Sequence, residues 1–372
     1  MKRAVYLDNA ASSFPKPKAV ARAVASAIDS YGGNPGRGAG KGTLIFDRLI
    51  FSARESIARL LNLPNPERII FTHSATEGIN IALKGLLAKG DSVAISGLEH
   101  NAVIRPLHQL KKKGVLVGYS PLDKNGLPDF KRLDKSTMLA TTGGSNVTGA
   151  IANTKAIGKA CKKLGALFFV DAAQTAGSRP LDVSNIDILV SAGHKGLLGP
   201  QGTGFVWFRA GIEPCSLMEG GTGSESDSPE MPRYFPDRLE PGTMNTPGVA
   251  GLKASLEWLS RKTVEAVREH ELKLNKLILE ALGNNPKIEL YPPCNPAKRA
   301  SLVTFNVKGK DPAEIGDLLG ERGIALRVGL HCAPEAHKFL GTFPGGGIRV
   351  SPGALTKTSD VKYFLNELNK IA

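Results

Sequence analysis

No apolar stretch of the 372-residue chain approaches the length that spans a bilayer. The opening Met1-Lys-Arg-Ala-Val-Tyr6 lacks the extended apolar core of a secretory signal, so no membrane partner is expected and the cytoplasm is the expected compartment. Cysteine is scarce: Cys161, Cys215, Cys294 and Cys332 are scattered, and none forms a Cys-x-x-Cys pair. Neither a disulfide framework nor a metal site is therefore expected. Acidic residues are outnumbered, 34 against 48 Lys plus Arg, which leaves a formal charge of +14. A nucleic-acid binder concentrates such charge on one face within a recognisable module. Here it is dispersed, and the densest run, Lys111-Lys-Lys113, reads as a solvated helix end. No nucleic-acid partner is expected; an acidic protein partner or anionic small molecules suit the charge better. There is no internal repeat and no low-complexity tail.

What is present is an ordinary globular balance, 41% hydrophobic and 22% charged, in a chain too long for one small core. Apolar runs at 68–72, 92–96, 115–119, 137–142, 166–170, 186–190 and 205–208 read as strands. Helical patterns at 18–30, 43–61, 74–87 and 154–164 surround them, which argues for an α/β fold with a mostly parallel sheet covered on both faces. A Gly-rich loop is expected at 32–40 and a mobile one at 219–236. Helices from about 248 and at 263–282 lead into a smaller α+β layer. Its strands are expected at 288–291, 301–307, 325–328 and 347–350, and its helices at 311–322 and 359–371. The expected division is a large domain at 18–260, with 1–17 and 261–372 forming the smaller unit and a segment beside the active site.

Two stretches carry the chemistry. Lys195 lies in Ser191-Ala-Gly-His-Lys-Gly196, a glycine-lined turn between two apolar runs, and Asp171 ends the run Phe168-Phe-Val-Asp171. One lysine alone is most simply a solvated surface residue. A lysine that can condense with an aldehyde, beside a carboxylate at a strand tip, suits pyridoxal phosphate. Ser74-Ala-Thr-Glu-Gly78 opens a helix and reads either as an N-cap or as an anion site, since both use the same orphan donors. His100 at another helix start is a cap, a surface group or a catalytic one. Cys332 sits in Arg327-Val-Gly-Leu-His-Cys-Ala-Pro334, where Arg327 and His331 as positive neighbours would favour the thiolate; a lone cysteine is otherwise more often buried and inert. Arg349 in Gly345-Gly-Gly-Ile-Arg349 is either a surface ion pair or a carboxylate fork.

Val170-Asp-Ala-Ala-Gln174 and Ser191-Ala-Gly-His-Lys195 resemble the class V aminotransferase family, in its cysteine desulfurase and selenocysteine lyase branch. The compact segment around Cys332 resembles the group II members. The resemblance runs from Tyr6 to Arg349. It implies fold type I of the pyridoxal phosphate enzymes, with a sheet of the seven-stranded type, and a homodimer with shared sites. It makes Lys195, Cys332 and His100 catalytic. Lys195, Asp171, Gln174, Thr76, Ala75, His100, Ser191 and His194 become cofactor contacts, joined by Thr243 in Gly242-Thr-Met-Asn245 from the neighbouring subunit. Arg349, Asn146 and Asn9 become substrate contacts. The implied reaction takes L-cysteine to L-alanine, leaves sulfur on Cys332 as a persulfide, and hands it to an acceptor protein, for which the chain's positive charge suits an acidic surface. Selenocysteine lyase, or a class V enzyme that does not need Cys332, is the alternative. The sequence departs from the family pattern at Ala75, where a phosphate contact is missing, at Gly143-Gly144 and Met244, which are tolerable changes, and at Leu330 and Pro352-Gly-Ala-Leu355, which bear on substrate choice more than on reaction type.

Overall fold

The computed structural model describes residues 4–29, 35, 41–120, 122 and 136–372. The stretch 32–40 expected as a loop lies outside them, apart from Pro35. The first half of the chain runs β1 (Val5–Tyr6), α1 (Lys18–Asp29), α2 (Lys41–Leu61), β2 (Ile69–Thr72), α3 (Ala75–Leu86), β3 (Ser92–Ile95), α4 (Asn101–Lys112), β4 (Leu116–Tyr119), β5 (Met138–Thr142), α5 (Thr154–Leu164) and β6 (Leu167–Asp171). It continues through β7 (Ile188–Ala192), β8 (Gly204–Phe208), α6 (Thr246–Lys262), α7 (Val264–Gly283), β9 (Ile288–Leu290), β10 (Val303–Val307), α8 (Pro312–Glu321), β11 (Ile324–Ala325), β12 (Arg327–Gly329), α9 (Pro334–Leu340), β13 (Gly347–Val350) and α10 (Thr358–Ile371).

Among the described residues the large sheet has seven strands in the order β2-β8-β7-β6-β5-β3-β4. All pairs from β7 to β4 are parallel, and β8 runs antiparallel to both its neighbours. Both faces are covered, so the strands read as continuous apolar runs rather than alternating ones. Successive side chains nevertheless part company: Phe168 and Val170 pack with Ile57 of α2, Ile157 of α5 and Leu256 of α6, whereas Phe169 packs with Ile79 of α3 and Val103 of α4. The parallel strands deliver their C-terminal ends to one edge of the sheet, where α/β proteins place ligands. Thr142, Asp171 and the turn after β7 all lie there.

A second, antiparallel sheet, β12-β13-β10-β9, packs with α7, α8 and α10 around Phe305, Ile315, Ile348 and Phe364. The N-terminal strand joins this part of the chain: β1 pairs in parallel with β11, and Asp8 bridges to Ser351. The run expected as one strand at 325–328 is two. β11 pairs with β1 and β12 with β13, with Leu326 between them changing partner. Helix α9 was not expected; Pro334 stands at its first position, where its missing N–H costs nothing.

One buried ion pair holds α2, β2 and the segment leading to Thr243 together. The Arg54 guanidinium forks onto Glu240, with N–O distances of 2.8 and 2.6 Å, and also donates to the Ile69 carbonyl. The same carboxylate accepts from the Phe71 N–H, and the guanidinium lies over the Phe71 ring at 4.8 Å. Arg54 is 4% exposed. Removing one partner leaves the other charge buried, so Arg54→Met is expected to cost about 3 kcal/mol or more, read as a lower urea midpoint at unchanged slope. A midpoint equal to wild type would show the pair to be dispensable.

Candidate active site

The ends of β5 and β6, the turn after β7, the starts of α3 and α4 and the Cys332 turn enclose a cavity of about 240 Å³. Lys195 enters it from a turn packed so tightly that a Cβ on Gly193 would overlap Thr203 Oγ1, and one on Gly196 would overlap the Ala176 carbonyl. Burial pulls the Lys195 ammonium down to about 8; Asp171 opposes this, and the positive charges of Arg349 and Arg327 add to it. Asp171 closes β6 with Oδ1 accepting from the Ala173 N–H at 2.9 Å. Burial raises its pKa, while that hydrogen bond and Lys195 hold it down.

The start of α3 carries a cap and leaves a hydroxyl free toward the cavity. Ser74 is the cap, accepting from the Glu77 N–H at 3.3 Å. The Thr76 hydroxyl has no hydrogen-bond partner among the described residues, and Thr76 and Ala75 line the cavity. Across it, His194 Nδ1 is buried without a partner. Burial first, then Lys195 and Lys16, pulls His194 down to about 4, so the ring is neutral.

His100 is both a cap and a cavity residue. Its Nδ1 accepts from the Ala102 N–H at 3.0 Å, which puts the ring proton on Nε2. Burial, Lys195 and Arg327 pull its pKa to about 4. The turn before it is fixed by the buried Glu99 carboxylate, which accepts from Ser96 N–H (3.1 Å), Ser96 Oγ (2.5 Å) and Gly97 N–H (2.6 Å). Gln174 Nε2 donates to the Ala10 carbonyl at 2.9 Å at the cavity wall.

Arg349, on β13 and 2% exposed, is a cavity residue and not a surface ion pair. Its Nη2 pairs with Asp8 at 2.8 Å, Nη1 donates to the Asn146 carbonyl at 2.9 Å, and Nε is buried without a partner. The Asn146 amide donates to the His331 carbonyl at 2.6 Å, so this side chain steadies the Cys332 turn from the cavity floor. Cys332 itself is exposed and lines both this cavity and an open groove on the α3–α4 side. Arg327 faces Arg349 across the β12–β13 pair and also lines the cavity.

The structure brings most of the expected residues into one cavity and leaves three outside it. Ser191 is buried with its Oγ 3.5 Å from the Ala172 carbonyl. Asn9 faces a smaller cavity behind Lys195, where its amide donates to Ser351 O and its oxygen accepts from the Phe14 N–H. Thr243 lines a separate cavity with His73 and Glu77. One electrostatic expectation is corrected: His331 adds no positive charge beside Cys332, because burial and Arg349 pull its pKa down to about 2. The positive field comes from the two arginines. Asp8 lies in the opening stretch 4–11, which resembles the family's N-terminal signature, but its pairing with Arg349, 341 positions away, carried no signal in the sequence.

The sequence profile of the aminotransferase class-V family matches residues 5–364. A probable cysteine desulfurase of Methanothermobacter thermautotrophicus is 35% identical, covering 99% of this chain and 94% of that protein. A cysteine desulfurase of Serratia proteamaculans is 33% identical over 88% of this chain and 84% of its own length. Among solved structures, the apo cysteine desulfurase of Thermococcus onnurineus superposes with a TM-score of 0.93 at 29% identity, covering 99% of this chain and 94% of that one. An Escherichia coli cysteine desulfurase does so with a TM-score of 0.88 at 30% identity and the same coverage. The fold is the expected fold type I, and with the profile spanning nearly its whole length the chain belongs to the aminotransferase class-V family.

Proposed function

We propose that this protein is a pyridoxal phosphate-dependent cysteine desulfurase that converts L-cysteine to L-alanine and takes up the sulfur as a persulfide on Cys332. The observation that carries this reading is the meeting, in one cavity, of a buried amine (Lys195), a buried carboxyl (Asp171), a buried guanidinium (Arg349) and an exposed thiol (Cys332).

The donor set fits the cofactor. The unpartnered His194 Nδ1, the Thr76 hydroxyl and the first N–H groups of α3 suit its phosphate. Lys195 suits its aldehyde, Asp171 the ring nitrogen, His100 the ring face and Gln174 the phenolic oxygen. When bound, pyridoxal phosphate supplies the electron sink that makes the substrate α-proton acidic.

The chain's own groups do the rest. Arg349, with Nε still unpaired, receives the substrate carboxylate, with Asn146 beside it. Lys195, weakened as a base by burial, takes up the α-proton. The Cys332 thiolate forms an S–S bond to the substrate sulfur as the C–S bond breaks. The electron pair stays on the three-carbon remainder, which is protonated and leaves as alanine. The neutral His100, with its proton on Nε2, can pass that proton.

The working unit is read as a homodimer. Leu44, Ile45 and Phe51 leave an exposed apolar face on α2, and Thr243, outside this cavity, would serve the site of the second copy. The acceptor of the persulfide is read as acidic, because the groove beside Cys332 is lined by Lys84, Arg105 and His108.

The test is to load the protein with pyridoxal phosphate and measure alanine from L-cysteine and from L-selenocysteine. Turnover of L-cysteine is expected; turnover of L-selenocysteine alone would make the protein a selenocysteine lyase, and neither would overturn the reading. A pH test addresses Lys195 separately. An amine with pKa about 8 is about a tenth neutral at pH 7 and about nine tenths at pH 9. Capture of pyridoxal phosphate by the apoprotein is therefore expected to accelerate over that range and level off above it. A rate still climbing through pH 10 would contradict a desolvated Lys195.

A further inference from the structure

Cys332 is held in a backbone conformation that the chain has to enforce. His331 and Cys332 have φ of +49° and +57°, a left-handed region that is costly for residues other than glycine. Backbone contacts hold part of the turn: Asn146 donates to the His331 carbonyl, and the Asn101 N–H donates to the Cys332 carbonyl at 2.8 Å. The His331 side chain holds the rest through a row of groups running away from the cavity.

His331 Nδ1 lies 3.1 Å from His337 Nε2, and His337 Nδ1 lies 2.7 Å from Thr342 Oγ1. At the other end His331 Nε2 faces the Arg327 carbonyl at 3.4 Å. The two rings stack with centroids 5.3 Å apart, and both are buried, His337 completely. Thr342, half-buried, ends the row toward the surface.

One arrangement of protons satisfies all three contacts with neutral rings. The Arg327 carbonyl can only accept, so His331 carries its hydrogen on Nε2 and presents a bare Nδ1. His337 must then donate from Nε2, which leaves its Nδ1 bare to accept from the Thr342 hydroxyl. That hydroxyl has one proton, and the 2.7 Å contact to His337 Nδ1 takes it in preference to the 3.3 Å contact with the His337 carbonyl. Burial and the Arg349 charge keep both rings neutral, with pKa values down to about 2 for His331 and about 4 for His337. Removing the Thr342 hydroxyl frees His337 to turn over or change tautomer, and His331 then loses its donor.

We propose that His337 and Thr342 are positioning residues for sulfur transfer: through one fixed tautomer of His331 they hold the left-handed turn that presents the Cys332 thiol to the cavity. Neither residue lines the cavity. The proposal rests on the reading of Cys332 as the group that accepts sulfur.

The first test does not depend on activity. In holoenzyme labelled with ¹⁵N-histidine, and with signals assigned through His331→Gln and His337→Gln, both rings are expected to be neutral and protonated on Nε2. A ring protonated on Nδ1, or charged at pH 7, would overturn the relay. The second test is kinetic. Thr342→Val is expected to lower the rate of persulfide formation on Cys332 about tenfold at unchanged KM and unchanged cofactor absorption, and Thr342→Ser to restore it. Equal losses in both variants, or rates within about twofold of wild type in Thr342→Val, would overturn it. If Cys332→Ala leaves alanine formation unchanged, the sulfur-acceptor reading fails, and with it the positioning role. The tautomers would still report whether the row of hydrogen bonds exists.

Discussion

Lys195→Ala is expected to abolish the visible absorption of the cofactor-loaded protein and to lower alanine formation by about 10³-fold or more. Lys195 is the amine that faces Asp171 within the cavity, and its environment is specialised for one task. Its burial and the two arginines lower its pKa to about 8, which makes it a better nucleophile and proton carrier at neutral pH than an exposed lysine. Lys16, the other lysine drawn toward this region, donates to Ser13 Oγ at 2.9 Å and does not line the cavity. It has no route to replace Lys195. Retention of substantial turnover in Lys195→Ala would remove the basis for a pyridoxal phosphate enzyme of any kind.

Cys332→Ala is expected to separate the cofactor from the sulfur chemistry. The absorption band should remain, because nothing that would hold the cofactor is altered, while alanine formation from L-cysteine falls roughly 10²- to 10³-fold. The remaining thiols offer no substitute. Cys161 is buried in α5, where burial pushes its pKa up to about 12, and Cys215 and Cys294 line neither the cavity nor the groove beside it. The variant also divides the alternatives. Selenium leaves carbon more readily than sulfur, so turnover of L-selenocysteine should suffer less than that of L-cysteine. A class V enzyme working without a nucleophilic thiol would show no loss at all.

The secondary structure was legible wherever local pattern and burial agree. The strands of the large sheet were placed to within two residues because both faces are covered and each run is bounded by turn residues. The tips of β6 and the turn after β7 could be read as chemistry because Asp171 and Lys195 break apolar runs at the edge where such sheets bind ligands. Contacts between distant parts of the chain were not legible. The Asp8–Arg349 pair depends on the residues after β1 meeting Ser351 at the end of β13, and the split between β11 and β12 depends on which strand each one finds. The Cys332 turn shows the same limit. Its glycine and proline boundaries suggest a turn, but the left-handed backbone at two non-glycine residues is imposed from outside, partly by α9, which the sequence did not show. The neutrality of His331 is not legible in the sequence for a related reason: only the folded packing shows that it is buried beside Arg349.

The reading turns on where the sulfur goes. The most direct measurement is to mix cofactor-loaded protein with L-cysteine in the absence of any acceptor or reductant, quench, alkylate, and determine by peptide mass spectrometry which cysteine has gained one sulfur atom. The account predicts a single added sulfur on the peptide carrying Cys332, formed in step with the first equivalent of alanine and absent from Cys161, Cys215 and Cys294. Alanine released with Cys332 unmodified, or the added sulfur on another cysteine, would contradict it.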